Sequence, residues 1–510
     1  MVKNGKKHPI DWSIAFPSLG ILFCICMSFI VLNIQNSTIL NKIFETITDT
    51  FGGLYHLYIF GLLLVLCYIS CSKIGSIRLG AEKPQYSTFS WISMLFCACI
   101  GSSILYWGLI EWVYYLADPP FNLLPLSQEA AEISVAYTMF HWGISGWATY
   151  SVAAVIIAFY YFVKKIPNLR ISVSCGFTRE NGRETLGKIV DIFVIIGLSA
   201  GVAVSIALGT PLIAQGLHFL FGIDPGVKTN IIISIFWACL FGASAVSGID
   251  RGIKVLSNIN TIIALGFILY VFISGAGQFI GNNLVNSLGL MFQNYLYMSF
   301  YTDPVGRSGF PQIWTIFYWA WWLSYVPVMG LFIAKISRGR TIRQVALGGT
   351  LMGSLGCWIF LAILGGYGLH FQLAGDLDIV SILRNEGDYV AILSLLTNLP
   401  FPRLVVFVFM VVAFIFLATT CDSSAYIMAS ISTVNITGNE DPSKRNRILW
   451  TVALIIWPIV LIIVGGLNVV KLCSILGSIP ILFILFIMVW NFIRDARKLV
   501  GRAEIKGAEL

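Results

Sequence analysis

Between positions 314 and 329 the sequence places Trp314, Tyr318, Trp321 or Trp322, Tyr325 and Met329 at spacings of three and four. Such spacings put side chains on one face of a helix. The face is about 15 residues long, or roughly 22 Å at about 1.5 Å per residue. A row of π-faces with no matching row of carboxylates suits a cation that cannot donate hydrogen bonds. A quaternary ammonium is such a cation, attracted by the ring quadrupole with about 0.5–1 kcal/mol per exposed contact and about 2 kcal/mol when desolvated. A strongly hydrated primary amine would need a carboxylate instead. The competing role for Trp and Tyr is anchoring at the membrane interface. That role partly suits Trp314 and fails for the others, because an anchoring belt has no reason to run inward.

The elements holding this face read as membrane helices. Of 510 residues, 57% are hydrophobic and 11% charged, against about 25% charged in soluble domains. Twelve apolar stretches, centred near 23, 63, 104, 149, 203, 238, 267, 324, 357, 415, 459 and 482, reach the roughly 20 residues a span needs. The first is too long for a signal-peptide core and lacks a small-residue cleavage site, so a retained helix is expected. Lys and Arg collect in the N-terminal tail (Lys3, Lys6, Lys7), in every second loop (Arg78, then Arg170 and Arg179, then Arg251 and Lys254, then Lys335 and Arg338, then Lys444, Arg445 and Arg447) and in the C-terminal tail. Cytoplasmic loops carry such an excess, so both termini are expected in the cytoplasm.

Other classes find little support. The tails are short, and no Walker or GxGxxG pattern is present, which leaves gradient-driven transport or exchange rather than an ATP-driven pump. Five scattered His and 11 Cys without CxxC or metal spacing predict no enzyme, no resident metal and no cofactor. The net charge of +8 lies in loops, so no nucleic-acid partner is expected; the partners are a small ligand and the bilayer.

Two spans carry helix breakers at mid-length: Gly101-Ser102-Ser103, and Pro327-Val328-Met329-Gly330. Pro327 supplies no N–H and obstructs a bond to residue 323. Irregular backbone at membrane depth is tolerated only inside protein or beside a cavity, and transporter sites form at such breaks between related halves. Each break opens a run of five helices, so the runs start from opposite sides and form inverted repeats. The expected division is a cytoplasmic tail at 1–12, two N-terminal helices with their loop at 13–90, a first repeat at 91–280, an outer connection at 281–312, a second repeat at 313–493 and a tail at 494–510. Trp142 and Trp147 flank HWGISGW, where Gly143 and Gly146 permit close approach. Tyr114, past the first break, reads as core packing or a ligand wall. Glu111 and Asp422 are intramembrane carboxylates, functional candidates by default. Glu111 reads as structural, bonded to the break of its own helix; Asp422 reads as a cation or proton site, or as a structural carboxylate.

The stretch WTIFYWAWW at 314–322 resembles the signature of the betaine/carnitine/choline transporter family, with Ile313 where a small polar residue or Gly is usual. The resemblance extends to EKPQYSTFSW at 82–91, HWG at 141–143, SGIDRGIKVLSNIN at 247–260 and SRGRTIRQ at 337–344. FYTDPVGRSGFPQ at 300–312 is similar to the carnitine/γ-butyrobetaine exchanger branch. The resemblance implies an all-α membrane protein of the inner-membrane type, with twelve transmembrane helices, two inverted five-helix repeats after two N-terminal helices, and a homotrimer. It implies a central box of Trp321, Trp322 and Tyr325 closed by Tyr114 and Trp142, and an outer waiting site at Trp314 and Tyr318. Met329 falls where the exchanger has a Met whose thioether replaces a sodium ion.

Other positions pull toward sodium. Asn260 stands where the exchanger has a cation-replacing Arg, and Thr419 and Thr420 match the hydroxyl pair of sodium-coupled members. Val204, by contrast, stands where those members tend to place Thr. The expectation is carnitine/γ-butyrobetaine-type exchange by alternating access, with sodium-coupled symport of glycine betaine, choline or a related osmolyte as the alternative.

Overall fold

The computed structural model describes residues 8–35, 38–80, 83–98, 101–168, 170–178, 180–247, 250–434, 436–437, 440–464 and 467–506, with the backbone alone at 33–35, 241–256 and 506. Lys3, Lys6, Lys7, Arg179, the side chains of Arg251 and Lys254, and Glu82, Gly248 and Ile249 of the quoted motifs lie outside the described residues.

Regular structure among the described residues is helical. The order is α1 (Trp12–Gln35), α2 (Thr38–Cys71), α3 (Thr88–Cys97), α4 (Ser102–Ala117), α5 (Gln128–His141), α6 (Ile144–Ala158), α7 (Ile171–Ser174), α8 (Glu184–Phe221), α9 (Val227–Ser247) and α10 (Asp250–Ser274). There follow α11 (Gly277–Gln293), α12 (Tyr295–Phe300), α13 (Ile316–Ile336), α14 (Ile342–Ala374), α15 (Ile379–Glu386), α16 (Asp388–Thr397), α17 (Pro402–Ile431), α18 (Lys444–Val464) and α19 (Leu467–Lys506). Among the described residues ten spans are long and apolar enough to cross a membrane, and the bent pair α3–α4 makes eleven. The remaining expected stretch, near 238, corresponds to α9, whose described apolar part is the shorter Val227–Leu240. The last helix continues past position 494 as far as Lys506.

Local chemistry sets the ends. Ser127 Oγ accepts from the Ala130 N–H at 3.1 Å and starts α5. Thr341 and Gln344 form a reciprocal capping box at α14. Gly222 and Gly375 stop α8 and α14 at φ +70° and +78°, where a Cβ would be strained.

The first expected break is present: α3 and α4 meet at 57°, and Gly101 is extended (φ −148°) before α4 restarts at Ser102. A second interruption falls at Trp142-Gly143, between α5 and α6. The break expected at Pro327 is absent, because α13 runs unbroken from Ile316 to Ile336. One proline removes a single N–H, and the bonds on either side hold the helix together. The irregular turn of this span lies upstream instead, as a π-helical turn over Pro311–Thr315.

Burial separates inner from outer helices. In the span covering α5–α6 and in α8, 83% of the apolar window is buried, and 78% in the span of α13, against 33% in α1 and 28% in α10. Inner helices approach closely at glycines: a Cβ on Gly146 would lie 2.3 Å from Trp322 Cε2, and one on Gly143 2.8 Å from Trp358 Nε1. The central helix α13 packs on α6, α8 and α19.

Candidate functional site

A cavity of about 730 Å³ lies at the α3–α4 break. It runs along α13 from Trp321 to Lys335 and along α17 from Phe416 to Ile431, and it reaches Arg170 and Glu440 in the loops. Its mouth therefore lies on the face that carries the basic loops. It stops short of Trp314 and Tyr318, which are buried.

The closed end is aromatic. Trp142 lies 5.7 Å from Trp321 and 5.9 Å from Trp322 between ring centroids. Trp147 and Tyr150 of α6 lie 5.8 Å and 4.7 Å from Trp322, and Tyr325 lies 6.4 Å from Trp321. The polar edges of four of these rings are tied into the surrounding helices. Trp321 Nε1 donates to Gly201 O at 3.2 Å, Trp322 Nε1 to His141 O at 2.9 Å and Trp142 Nε1 to Glu111 Oε2 at 2.9 Å. Tyr325 Oη lies 2.8 Å from Ser205 Oγ. Hydrogen bonds that hold ring edges in this way fix orientation and leave π-faces for a ligand.

Four expected box residues, Trp142, Trp321, Trp322 and Tyr325, meet here, and Met329 lines the same cavity. Tyr114 does not. It lies twelve residues beyond Ser102, about 18 Å along α4, and packs on Trp314 at 4.9 Å. Tyr150 was missed by the sequence reading. It stands three residues after Trp147 on a helix that is apolar all round, so no polar contrast marks its face.

Thr419 and Thr420 line the cavity, each hydroxyl donating to Phe416 O at 2.9 Å. Their lone pairs stay available as hard-cation ligands. Asp422 lines the same wall, with Arg447 Nη2 at 3.5 Å from Oδ1. Arg447 was read as a loop cation, whereas α18 already begins at Lys444 and buries it. Asn260 is fully buried off the cavity, its Nδ2 donating to Val412 O at 3.0 Å. Among α10 residues, Ser257, Asn258 and Thr261 reach the cavity instead.

Above the box lies a dry polar layer. Glu111 accepts from Tyr115 (2.7 Å), Trp142 (2.9 Å) and Tyr318 (2.6 Å), and His141 Nδ1 lies 3.3 Å away. The carboxylate thus ties α4 to α5 and α13, not to the break of its own helix. The expected outer site is closed: Trp314 and Tyr318 are 5% and 0% exposed. The Trp314 ring carries Lys471 Nζ of α19 at 3.4 Å from its centroid, with Phe317 at 5.4 Å. Lys471 is fully buried, and among the described residues Nζ has no hydrogen-bond partner. An ammonium removed from water costs several kcal/mol, and a desolvated ring contact offsets about 2 kcal/mol. The sequence signal for Lys471 was a single charge inside an apolar span.

The family model described as "BCCT, betaine/carnitine/choline family transporter" matches residues 13–500. The chain is also 37% identical over 432 residues to "Uncharacterized transporter YeaV" of Escherichia coli (strain K12), covering 84% of this chain and 90% of that protein.

Proposed function

The chain belongs to the betaine/carnitine/choline transporter family, and from that premise we propose that it carries a trimethylammonium zwitterion by alternating access around the box of Trp142, Trp321, Trp322 and Tyr325. It is a multi-pass transporter of the bacterial inner membrane, not an enzyme. The observation carrying the proposal is a set of four aromatic rings that line one end of the cavity with their polar edges bonded into neighbouring helices. Three or four desolvated ring contacts, at about 2 kcal/mol each, offset the dehydration of a weakly hydrated head.

The favoured substrates are carnitine and γ-butyrobetaine in exchange. Asp422 faces the Arg447 guanidinium, so the wall beside the hydroxyl pair already carries a fixed cation, which supports transport without sodium. Met329 faces the cavity as the carboxylate-side contact. Sodium symport of glycine betaine or choline is the second reading, favoured by Thr419 and Thr420 on the same wall. Twelve spans, two inverted five-helix repeats, cytoplasmic termini and a homotrimer complete the proposal. The mouth on the basic-loop face makes this arrangement inward-open. In the cycle, α3–α6, α13 and α14 rock against the remaining helices.

The test is ligand quenching of tryptophan fluorescence with a panel of betaines, choline and primary-amine analogues, followed by counterflow in proteoliposomes with and without sodium. Binding confined to methylated ammonium compounds is expected, with loss of transport in Trp322→Leu at unchanged folding. Full transport by that variant removes the box from the mechanism.

A further inference from the structure

Resting on the reading that the ligand is a trimethylammonium zwitterion, we infer that Lys471 selects for the ligand's carboxylate: its ammonium is the counter-ion that favours betaines over bare cations on the outer side of the box. The aromatic face of α13 continues outward from Trp321 through Tyr318 to Trp314, so a ligand following it passes Lys471. The Lys471 ammonium has three donors and, among the described residues, no acceptor. The nearby carboxylate is already engaged, because Glu111 accepts from Tyr115 on one oxygen, with His141 Nδ1 3.3 Å away, and from Trp142 and Tyr318 on the other. His141 uses its second nitrogen on Thr315 Oγ1 at 3.1 Å. The unmet need in this layer is therefore a small anion.

In the closed layer the ammonium rests on the Trp314 face, the kind of surface a trimethylammonium head prefers. A zwitterion answers both halves of the arrangement. Its carboxylate draws Lys471 off the ring, and its methylated nitrogen takes the ring. Choline brings a positive charge without an acceptor of comparable strength and faces a like charge in a dry site, which is disfavoured.

The experiment is competition for γ-butyrobetaine uptake into right-side-out membrane vesicles by external glycine betaine and by choline. It compares the wild type with Lys471→Met and Lys471→Arg. Wild type is expected to favour glycine betaine by about tenfold or more, the size of one charge-assisted hydrogen bond. Lys471→Met should bring that ratio toward one by weakening the betaine, and Lys471→Arg should restore most of it. An unchanged ratio in Lys471→Met overturns the inference. So does equal competition by choline in the wild type, which decides the matter without any variant. A wild type indifferent to every trimethylammonium compound overturns the underlying transport reading, a result distinct from binding without selectivity.

Discussion

Trp322 of α13 donates its indole N–H to the backbone carbonyl of His141 at 2.9 Å, the point where α5 ends. The ring is thereby held against Gly146 of α6, and the missing Cβ is what makes room for it.

Gly146→Ala should therefore push Trp322 into the cavity. Overpacking of this kind costs about 1–3 kcal/mol. Substrate affinity should fall about tenfold, since 1.4 kcal/mol is a factor of ten. Fluorescence titration checks the affinity, and gel filtration shows whether the variant stays folded. Unaltered affinity would mean that Trp322 does not contact the ligand.

The pairing of Asp422 with Arg447 gives a second expectation. A double-mutant cycle of Asp422→Asn and Arg447→Gln should return a coupling of about 0.5–3 kcal/mol in thermal unfolding. On the transport reading, Arg447→Gln should also make exchange respond to sodium, because the wall loses its fixed guanidinium beside Thr419 and Thr420. Sodium-insensitive exchange in that variant counts against the role given to Arg447.

Glu111→Gln replaces an acceptor oxygen with an amide that donates. Unless Tyr115 turns its hydroxyl to His141 Nδ1, 2.9 Å away, at least one of the donors Tyr318, Trp142 or Tyr115 is then left in a dry site without its partner. Such a loss costs about 1–3 kcal/mol. A lower melting temperature is expected, with Tyr318→Phe in the same background regaining part of it. An unshifted melt would mean that water replaces the lost acceptor.

Asp303 lies outside the spans, in the turn that leads into the π-helical start of the α13 segment. Burial alone would lift its carboxyl, but hydrogen bonds from the Ser308 hydroxyl, the Ser308 N–H and the Gly306 N–H outweigh this and leave it below the ordinary aspartate value. With the native value under the unfolded one, the stabilisation is complete above about pH 3.9 and disappears as pH falls through the native value. Hydrogen exchange at Gly306 and Ser308 should stay slow from neutral pH down to that region and quicken below it. Asp303→Ala should be quick throughout.

The sequence carried the aromatic stripe of α13 because a helix of period 3.6 repeats its face every three or four residues, and that period needs no partner to be read. It carried the first break because Gly101-Ser102-Ser103 gives up helix propensity inside an apolar run. Pro327 gave the opposite result, since one missing N–H is too little to open a helix held on every side. Tyr114 packs in the core, the first of the two roles the sequence allows it, and falls short of the box because depth along α4 depends on where that helix restarts. The burial of Arg447, which reads as a loop cation, and of Lys471 is hidden in the sequence for a shared reason. A charge near the end of a span looks the same in a sequence whether it faces water or is folded back into the protein, and packing alone decides which.

Trp321 and Tyr325 are moored to α8, at Gly201 and Ser205, while Trp322 is moored to the end of α5. If α5 and α13 swing together past α8, the chamber cannot travel as a sealed capsule. Two of its panels are hinged to the stationary wall, so the same movement that turns the chamber outward must tear one side of it away. Release would then be a mechanical consequence of the swing rather than a separate weakening of grip.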